Sequence, residues 1–447
     1  FTSEVQRMFD GIRLTNERLI MASGLTLAGL LLKRTSLAKR LNETKLKDNA
    51  EPHIKNSEIA LAYIGLLCQG KSDYDFIREM DRDQDFYCTA LDIKHIPSSE
   101  TLRQRLDMVN GQWNEIIIEE NANLLKQAKV HPTPASGEYI PLDADVSPFD
   151  NSGTKKQGVC RTYKGVDGYA PIFAYLGVEG YLINAELRKG STHCQNGTVA
   201  FLKKTILQAK QITDKPLLVR LDSGNDSSDN IELFYTPATR VDFIISRNLR
   251  SESPEMWLDI AKETASKITT PREGKTVYTG SVYWSPGNLA RKVRIVYQVI
   301  VRTSKADGQI CLIPELEVAT WWTSLSLPEN EIIELYREHG TCEQFHSEIK
   351  TDMDLERLPS GKFETNSLIL RLAMIAYNIL RIIGQQSMVL NDTPIHKAKQ
   401  RRRLRTVIQN LILLATRVVT HARRKYLNLG RSNAWDKTFI RIYQAFT

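Results

Sequence analysis

At about Glu138 the spacing of apolar residues changes, and the change divides the chain into regions that need different kinds of fold. Before it, apolar residues recur at every third or fourth position, as in 59–67 and 113–125, the spacing of helices with one covered face. After it, short β-branched and aromatic runs alternate with Gly and Asp. Strands are predicted at 139–146, 161–176 (with a bend), 181–187, 216–221 and 241–246, with a helix at 197–211 between the third and the fourth. Three strands, a helix and two further strands call for an α/β domain with a mixed sheet. A second β-rich stretch, with strands predicted at 275–284, 293–302 and 316–323, reads as an insertion. Helical spacing returns at 330–353 and 366–384.

A chain of 447 residues is long enough for several cores. The texture divides it into a helical region, 1–135; the first part of an α/β core, 136–250; a β-rich insertion, 251–329; the second part of the core, 330–390; and a basic helical C-terminal segment, 391–447. The six cysteines include no C-x-x-C pair, so neither a zinc ribbon nor a disulfide framework is expected, and a reducing interior suits them. The apolar stretch 19–32 contains Ser23, Gly24, Thr26 and Gly29 and falls short of the roughly 20 residues that span a bilayer. It reads as a buried helix, and no membrane partner is expected.

The net charge of +8 is concentrated at one end. Residues 391–447 hold thirteen Lys or Arg against Asp392 and Asp436, a net of +11, so the remainder sums to 8 − 11 = −3. Arg401, Arg402, Arg403 and Arg405, then Arg423, Arg424 and Lys425, flank the apolar run 411–419, which predicts a helical pair with one basic face. Such a face is either a solvated surface or a contact for nucleic-acid phosphates. A second basic feature begins at Ser98 or Ser99, either of which can cap a helix that carries Arg103 and Arg105 in its first turns. That helix reads either as the recognition helix of a helix-turn-helix or as an ordinary surface helix of a bundle.

The chemistry-bearing residues sit at element ends. Asp143 and Asp145, two apart, share one face of their strand, and two acids at one strand end can hold a metal. The apolar strand 217–221 runs directly into Asp222-Ser223-Gly224, placing a further carboxylate just past a strand, where α/β sheets bind ligands. Taken singly, each is also an ordinary turn Asp. In the helix that follows, Tyr336, His339, Glu343 and Lys350 fall within a band about 60° wide at 100° per residue. Glu348 is rotated about 140° from Glu343 and faces elsewhere.

With these residues in place, the chain resembles the DDE transposases of bacterial insertion sequences. Tyr336, Glu343 and Lys350 match in register the signature Y-x₂-R-x₃-E-x₆-K of one branch, with His339 standing where the signature has Arg. The pattern is most similar to the thirteen-eighty family, a relative of the insertion-sequence-four group. The resemblance runs from Leu142-Asp143-Ala144-Asp145-Val146-Ser147 through Arg220-Leu221-Asp222-Ser223-Gly224 and Tyr336 to Ala376-Tyr377-Asn378-Ile379-Leu380.

The resemblance implies an RNase H-like core interrupted by the β-rich insertion and preceded by a helical DNA-binding domain. It implies Asp145, Asp222 and Glu343 as catalytic metal ligands, with Asp143 the other candidate for the first, and Tyr336, His339 and Lys350 on DNA phosphates. The spacings are 222 − 145 = 77 and 343 − 222 = 121, and the insertion accounts for the longer. The expected cofactor is a pair of Mg²⁺ ions, with Mn²⁺ able to substitute, since two hard cations bridged by carboxylates activate the nucleophile and stabilise the leaving oxygen. The implied partners are the double-stranded terminal inverted repeats, target DNA and a second copy of the chain in a synaptic homodimer. The implied setting is the bacterial cytoplasm, at the nucleoid, and a cut-and-paste reaction in which a DNA hairpin is one route of excision.

Trp284, close to Arg291, Lys292 and Arg294, reads either as a platform for a flipped base or as part of the insertion's own core. Two other functions fit parts of the chain: a nuclease with the same core but no strand transfer, and a non-catalytic DNA-binding regulator. The regulator leaves the aligned acids without a use. A di-iron centre built on His339, Glu343 and His346 would need a second Glu-x-x-His, which the sequence lacks.

Overall fold

The computed structural model describes residues 14–46, 52–305, 307, 309–396 and 400–447. The start of the helical region, and Lys397 and Lys399 of the basic count, lie outside the described residues. The N-terminal region follows its helical spacing. After the two-residue strand Leu19–Ile20 (β1) come helices Leu25–Leu32 (α1), Leu37–Glu43 (α2), Asn56–Cys68 (α3), Gln84–Leu91 (α4), Ser99–Val109 (α5) and Asn114–Gln127 (α6). The apolar stretch 19–32 is thus a strand followed by a buried helix. The α5 start is capped by Ser98, whose hydroxyl accepts the Thr101 N–H at 3.2 Å.

Next come strands Ile140–Val146 (β2), Phe149–Asp150 (β3), Cys160–Arg161 (β4), Asp167–Tyr169 (β5), Ile172–Leu176 (β6) and Tyr181–Glu186 (β7). The predicted strand 161–176 is broken into three: Gly165, at φ +76°, turns the chain back between β4 and β5, and Ala170-Pro171 separates β5 from β6. Helix Thr198–Ile212 (α7), strand Leu217–Leu221 (β8), helix Ser228–Tyr235 (α8) and strand Asp242–Ser246 (β9) follow. The insertion consists of helix Pro254–Thr264 (α9) and strands Ala265–Arg272 (β10), Lys275–Trp284 (β11), Val293–Ser304 (β12) and Ile310–Thr323 (β13). The sequence reading missed β10, which is largely exposed and shows no alternation of apolar residues.

One sheet takes the order β10-β11-β12-β13-β9-β8-β2-β6-β7. Within it β8 runs parallel to both β2 and β9, while β6 is antiparallel to β2. The insertion extends this sheet: Trp321, Trp322 and Thr323 of β13 pair with Ser246, Ile245 and Ile244 of β9. A smaller sheet, β3-β5-β4, stands beside the end of β2.

Beyond the sheet lie helices Glu329–Arg337 (α10), Cys342–Ser347 (α11) and Phe363–Gln386 (α12). Among the described residues α12 is the one helix long and apolar enough to cross a bilayer, but nearly all of it is buried within the protein, against β7, α3 and α6. Asn378 ties it there: its amide donates to Leu182 O at 2.7 Å and Asn121 Oδ1 at 2.8 Å, and its oxygen accepts the Leu182 N–H at 2.9 Å.

The helical reading of 391–447 is corrected. Leu404–Val407 (α13) runs through a wide helical turn into a β-hairpin, Thr416–His421 (β14) and Arg424–Leu429 (β15), before the final helix Asp436–Phe446 (α14). Ala422 and Arg423, at φ +50° and +64°, make the two-residue turn that hairpins favour. Strand β14 also pairs with β1, so segments from the two ends of the chain share one sheet, a contact that no local pattern specifies.

Candidate active site

The parallel register of β2 on β8 brings the first two acids together. Asp143 lies opposite Arg220 and Ala144 opposite Leu221, so one step further along the same register Asp145 lies beside Asp222. The offset of 77 residues between the two acids is the strand register itself. Neighbouring strands are about 4.8 Å apart, and residues two apart share a face. Asp145 and Asp222 therefore stand directly above the Asp143–Arg220 pair.

The two pairs differ in chemistry. Asp143 is buried, and both its oxygens accept from the Arg220 guanidinium, at 2.6 and 2.7 Å. Burial works against its charge, but Arg220 and His339 together hold its carboxyl below the usual range. Asp145 has no such partner. Its side chain keeps 22% exposure toward the cleft. Burial and the Asp222 carboxylate push it up to about 6. Asp222 accepts from Asn225 Nδ2 at 2.7 Å. Gly224 keeps that carboxylate clear, because a Cβ there would stand 3.3 Å from its oxygen and 3.1 Å from Cys194 Sγ.

The third acid arrives on the helix. Arg220 also donates to Leu335 O at 2.6 Å, which fixes the end of α10 over the two strands. His339 Nδ1 lies 3.1 Å from Asp143 Oδ1. Glu343 then lines the same cleft as Asp145, Asp222, His339, His346 and Lys350. The chain from α10 through α11 is not one regular helix: Glu338–Thr341 tighten to 3₁₀ geometry and Glu348–Asp352 widen to π geometry. Four residues at 120° rather than 100° add about 80° of rotation between Tyr336 and Glu343. The predicted common face therefore splits. Tyr336 packs on the Trp321 and His339 rings, with centroids 5.8 and 5.7 Å away, while His339, Glu343 and Lys350 reach the cleft. Glu348 points away and is buried in an ion pair with Arg381, which also donates to the Tyr377 hydroxyl.

Two arrangements of groups here resemble metal sites. The tighter, Asp143, His339 and Cys342, has its donor atoms within 4.8 Å of one another and is fully buried. It is a poor cation site, because the Arg220 guanidinium already occupies both Asp143 oxygens. The cleft carboxylates fit better: Asp145 and Asp222 stand side by side on neighbouring strands with no arginine bound across them, and burial first, then the Asp222 carboxylate, raise Asp145.

Several basic residues expected on DNA are turned onto the protein. Arg105 is buried, donating to Ile54 O at 2.9 Å and Asn56 Oδ1 at 2.5 Å, so it holds α5 to the start of α3. Arg103 is exposed and pairs with Glu100 at 2.5 Å. Arg401 donates to Gln344 Oε1 at 2.9 Å and covers the Phe345 ring at 4.6 Å. Arg402 is buried, donating to Ser387 Oγ at 2.7 Å and Thr393 Oγ1 at 3.1 Å and lying over the Trp435 ring. Arg403 and Arg405 both reach the buried Asp352 carboxylate, at 2.8 and 3.2 Å, though about half of each side chain stays exposed (48% and 53%). The expectation of a free basic face at 401–405 is corrected at Arg401 and Arg402, while Arg403 and Arg405 keep an exposed edge. The buried acids at the end of the Glu-bearing helix draw these arginines inward.

Arg402→Ala is accordingly expected to lower unfolding stability by about 1–3 kcal/mol, from lost buried hydrogen bonds, and to leave the salt dependence of DNA affinity unchanged. A log–log salt slope flattened by about 0.9 would instead put this arginine on a phosphate.

Trp284 packs in the insertion. Its ring lies 5.0 Å from Trp257, and Arg247 sits 5.3 Å from its centroid and 5.1 Å from that of Trp322. Sequence reasoning missed two cleft residues, Tyr163 and Lys164, and weighed His346 only as a ligand of a di-iron centre. Burial, with Lys350, His339 and Lys164 nearby, lowers His346 to about 3, so it is neutral, and its Nδ1 lies 3.8 Å from Asp145 Oδ2. Its position three residues past Glu343 was the available signal. Tyr163 and Lys164 carried none, since their region reads as plain strand.

A sequence model of the family described as "Transposase DDE domain group 1" matches residues 1–447. No curated protein matches the chain. A cryo-EM structure of the piggyBac transposase synaptic complex with hairpin DNA is similar with a TM-score of 0.39 and 11% identity, over 88% of this chain and 80% of that one.

Proposed function

We propose, from the premise that the chain belongs to the transposase DDE domain group 1 family, that it cuts DNA at the ends of an insertion sequence and joins the freed 3′ ends to target DNA. Transposase DDE domains use divalent metals. In our reading Asp145, Asp222 and Glu343 are the ligands of two Mg²⁺ ions, for which Mn²⁺ substitutes. The observation that carries this reading is the strand register that sets Asp145 beside Asp222 in the cleft lined by Glu343. When bound, the ions supply nucleophile activation and stabilisation of the leaving oxygen.

The chain's own residues do the rest. The Asp143–Arg220 pair holds both strands and the Glu-bearing helix in place, and Lys350 offers its ammonium to a backbone phosphate. Arg403 and Arg405 extend that contact outside the cleft. We read the five strands β9-β8-β2-β6-β7 with α12 as an RNase H-like core, and the signature residues as those of the thirteen-eighty family. The active form is a homodimer bridging two element ends in the bacterial cytoplasm.

The test is incubation with Mg²⁺ and duplex DNA carrying the terminal repeats of the element, with products resolved at single-nucleotide resolution. Breaks at the repeat boundary and joined products support the reading. Breaks without joining support the nuclease reading, and binding alone the regulator.

Metal binding has an expected pH dependence. Asp145 holds its proton up to about pH 6 in the folded protein, against a usual value of 3.8, so Asp145 would have to lose that proton to hold a cation. Divalent-ion affinity of the free protein is expected to fall as pH drops below about 6, read by Mn²⁺ binding in electron paramagnetic resonance. The sign for stability is the reverse. Without metal, the raised value means stability declines as pH rises from about 4 through about 6, because ionisation is harder in the folded state. Metal affinity flat down to about pH 5 would remove Asp145 from the ligand set.

A further inference from the structure

The hairpin tip between β4 and β5 reaches into the cleft, and nothing in the chemistry assigned so far uses it. Gly165 N–H donates to Thr162 O at 2.9 Å and Thr162 N–H to Val166 O at 2.8 Å, closing a tight turn with Tyr163 and Lys164 at its two central positions. The base of this hairpin is firmly placed. Tyr169 is fully buried and its hydroxyl donates to Gln157 O at 2.9 Å. Asn151 Nδ2 donates to Glu356 O at 2.9 Å, and Gln157 N–H to Gly361 O at 2.9 Å, which ties the small sheet to the chain that follows the Glu-bearing helix. Gly168 lets β3 approach so closely that a Cβ there would fall 1.8 Å from Phe149 O.

On this base the tip presents two side chains to the cleft walls. Tyr163 is 67% exposed, although its hydroxyl is anchored on Val146 O at 3.2 Å, one residue past Asp145. Lys164 is exposed, with its ammonium 5.9 Å from the Tyr163 ring centroid. Both line the cleft together with Asp145, Asp222, Glu343 and Lys350. A polyanionic strand approaching three carboxylates is repelled unless cations flank its path. Lys350 on the helix supplies one, and Lys164 on the hairpin supplies another. An open aromatic face beside such a cation is the combination that grips an unpaired nucleotide, by stacking on its base and neutralising its phosphate.

We propose that the Tyr163–Lys164 tip is a clamp on the DNA strand entering the cleft, with Lys164 on the phosphate next to the one being cut and the Tyr163 ring stacked on the adjoining base. This rests on the reading of the cleft as a DNA-cleaving site. It makes both residues positioning residues, so their loss shows first in how the strand is held.

The experiment uses the full-length protein with Mg²⁺ and duplex DNA bearing the element end. Cleavage is followed against DNA concentration, and binding against salt, for wild type, Lys164→Ala, Lys164→Arg, Tyr163→Ala and Tyr163→Phe. Lys164→Ala is expected to raise the half-saturating DNA concentration about tenfold and to flatten the log–log salt slope by about 0.9, with Lys164→Arg restoring both. Tyr163→Ala is expected to weaken half-saturation about tenfold, while Tyr163→Phe, which keeps the ring and loses the Val146 anchor, stays near wild type. Thermal melting of every variant at the wild-type temperature assigns the losses to the clamp. Wild-type half-saturation and salt slope in Lys164→Ala overturn the proposal, as does Tyr163→Phe being as damaging as Tyr163→Ala. If the wild-type protein does not cleave, the DNA-cleavage reading fails and the clamp with it. If wild type cleaves and the variants match it, only the clamp fails.

Discussion

Asp145→Ala, Asp222→Ala and Glu343→Ala are each expected to lower end cleavage by at least about 10²- to 10³-fold while leaving DNA binding and folding in place. The reason lies in how differently the acids of this sheet face are employed. Asp145 and Asp222 stand side by side, and Glu343 is exposed in the same cleft, so none of the three supports the fold through an ion pair with Arg220. Removing a carboxylate there even relieves repulsion, and a slightly higher melting temperature for Asp145→Ala is the expected companion result. Gel-shift affinity, melting and cleavage measured on the same preparations separate the roles. Wild-type cleavage in any one variant would remove that residue from the site.

Arg220→Met is expected to have the largest effect on stability of any single change near the cleft, about 3–5 kcal/mol of destabilisation. Arg220 is 2% exposed and satisfies both oxygens of Asp143 and the Leu335 carbonyl, so its loss strands a buried charge and frees the end of α10. Removing both charges together, as Asp143→Leu with Arg220→Met, is expected to recover part of that loss, because an apolar pair of similar bulk leaves no buried charge unpaired, while the Leu335 carbonyl and His339 Nδ1 still lose their partners. Denaturant unfolding of the two single variants and the double variant gives the coupling directly. Additivity of the two single effects to within about 0.5 kcal/mol would show that the pair does not act as a unit. In the double variant, cleavage remains impaired if Arg220 also sets the height of the Glu-bearing helix.

The same pair shows where reading the sequence reached its limit. Alternation places Asp143 and Asp145 on one strand face, and the acid directly after the apolar strand 217–221 is visible without any structure. Which of the first two acids stays free is set by the residue across the strand, and that is known only once the register puts Arg220 opposite Asp143. Likewise, the angular argument that placed Tyr336 with Glu343 assumed a uniform helix. The 3₁₀ turn at Glu338–Thr341 turned Tyr336 toward Trp321.

Local order along the chain determined the element types, the change to an α/β sheet after Glu138, and the acid-bearing ends, because turn chemistry and side-chain periodicity act between near neighbours. Tertiary structure alone decided what those features face. The cations at 401–405 read as a basic surface until the buried Asp352 and Glu348 are seen beneath them. The run 411–419 reads as helix until β1, nearly 400 residues earlier, is there for Thr416 and Arg417 to pair with. Tyr163 and Lys164 read as strand until the turn at Gly165 carries them over the carboxylates. In each case the deciding energy is a burial or pairing term between distant residues, and a sequence states such a term only through the fold that brings them together.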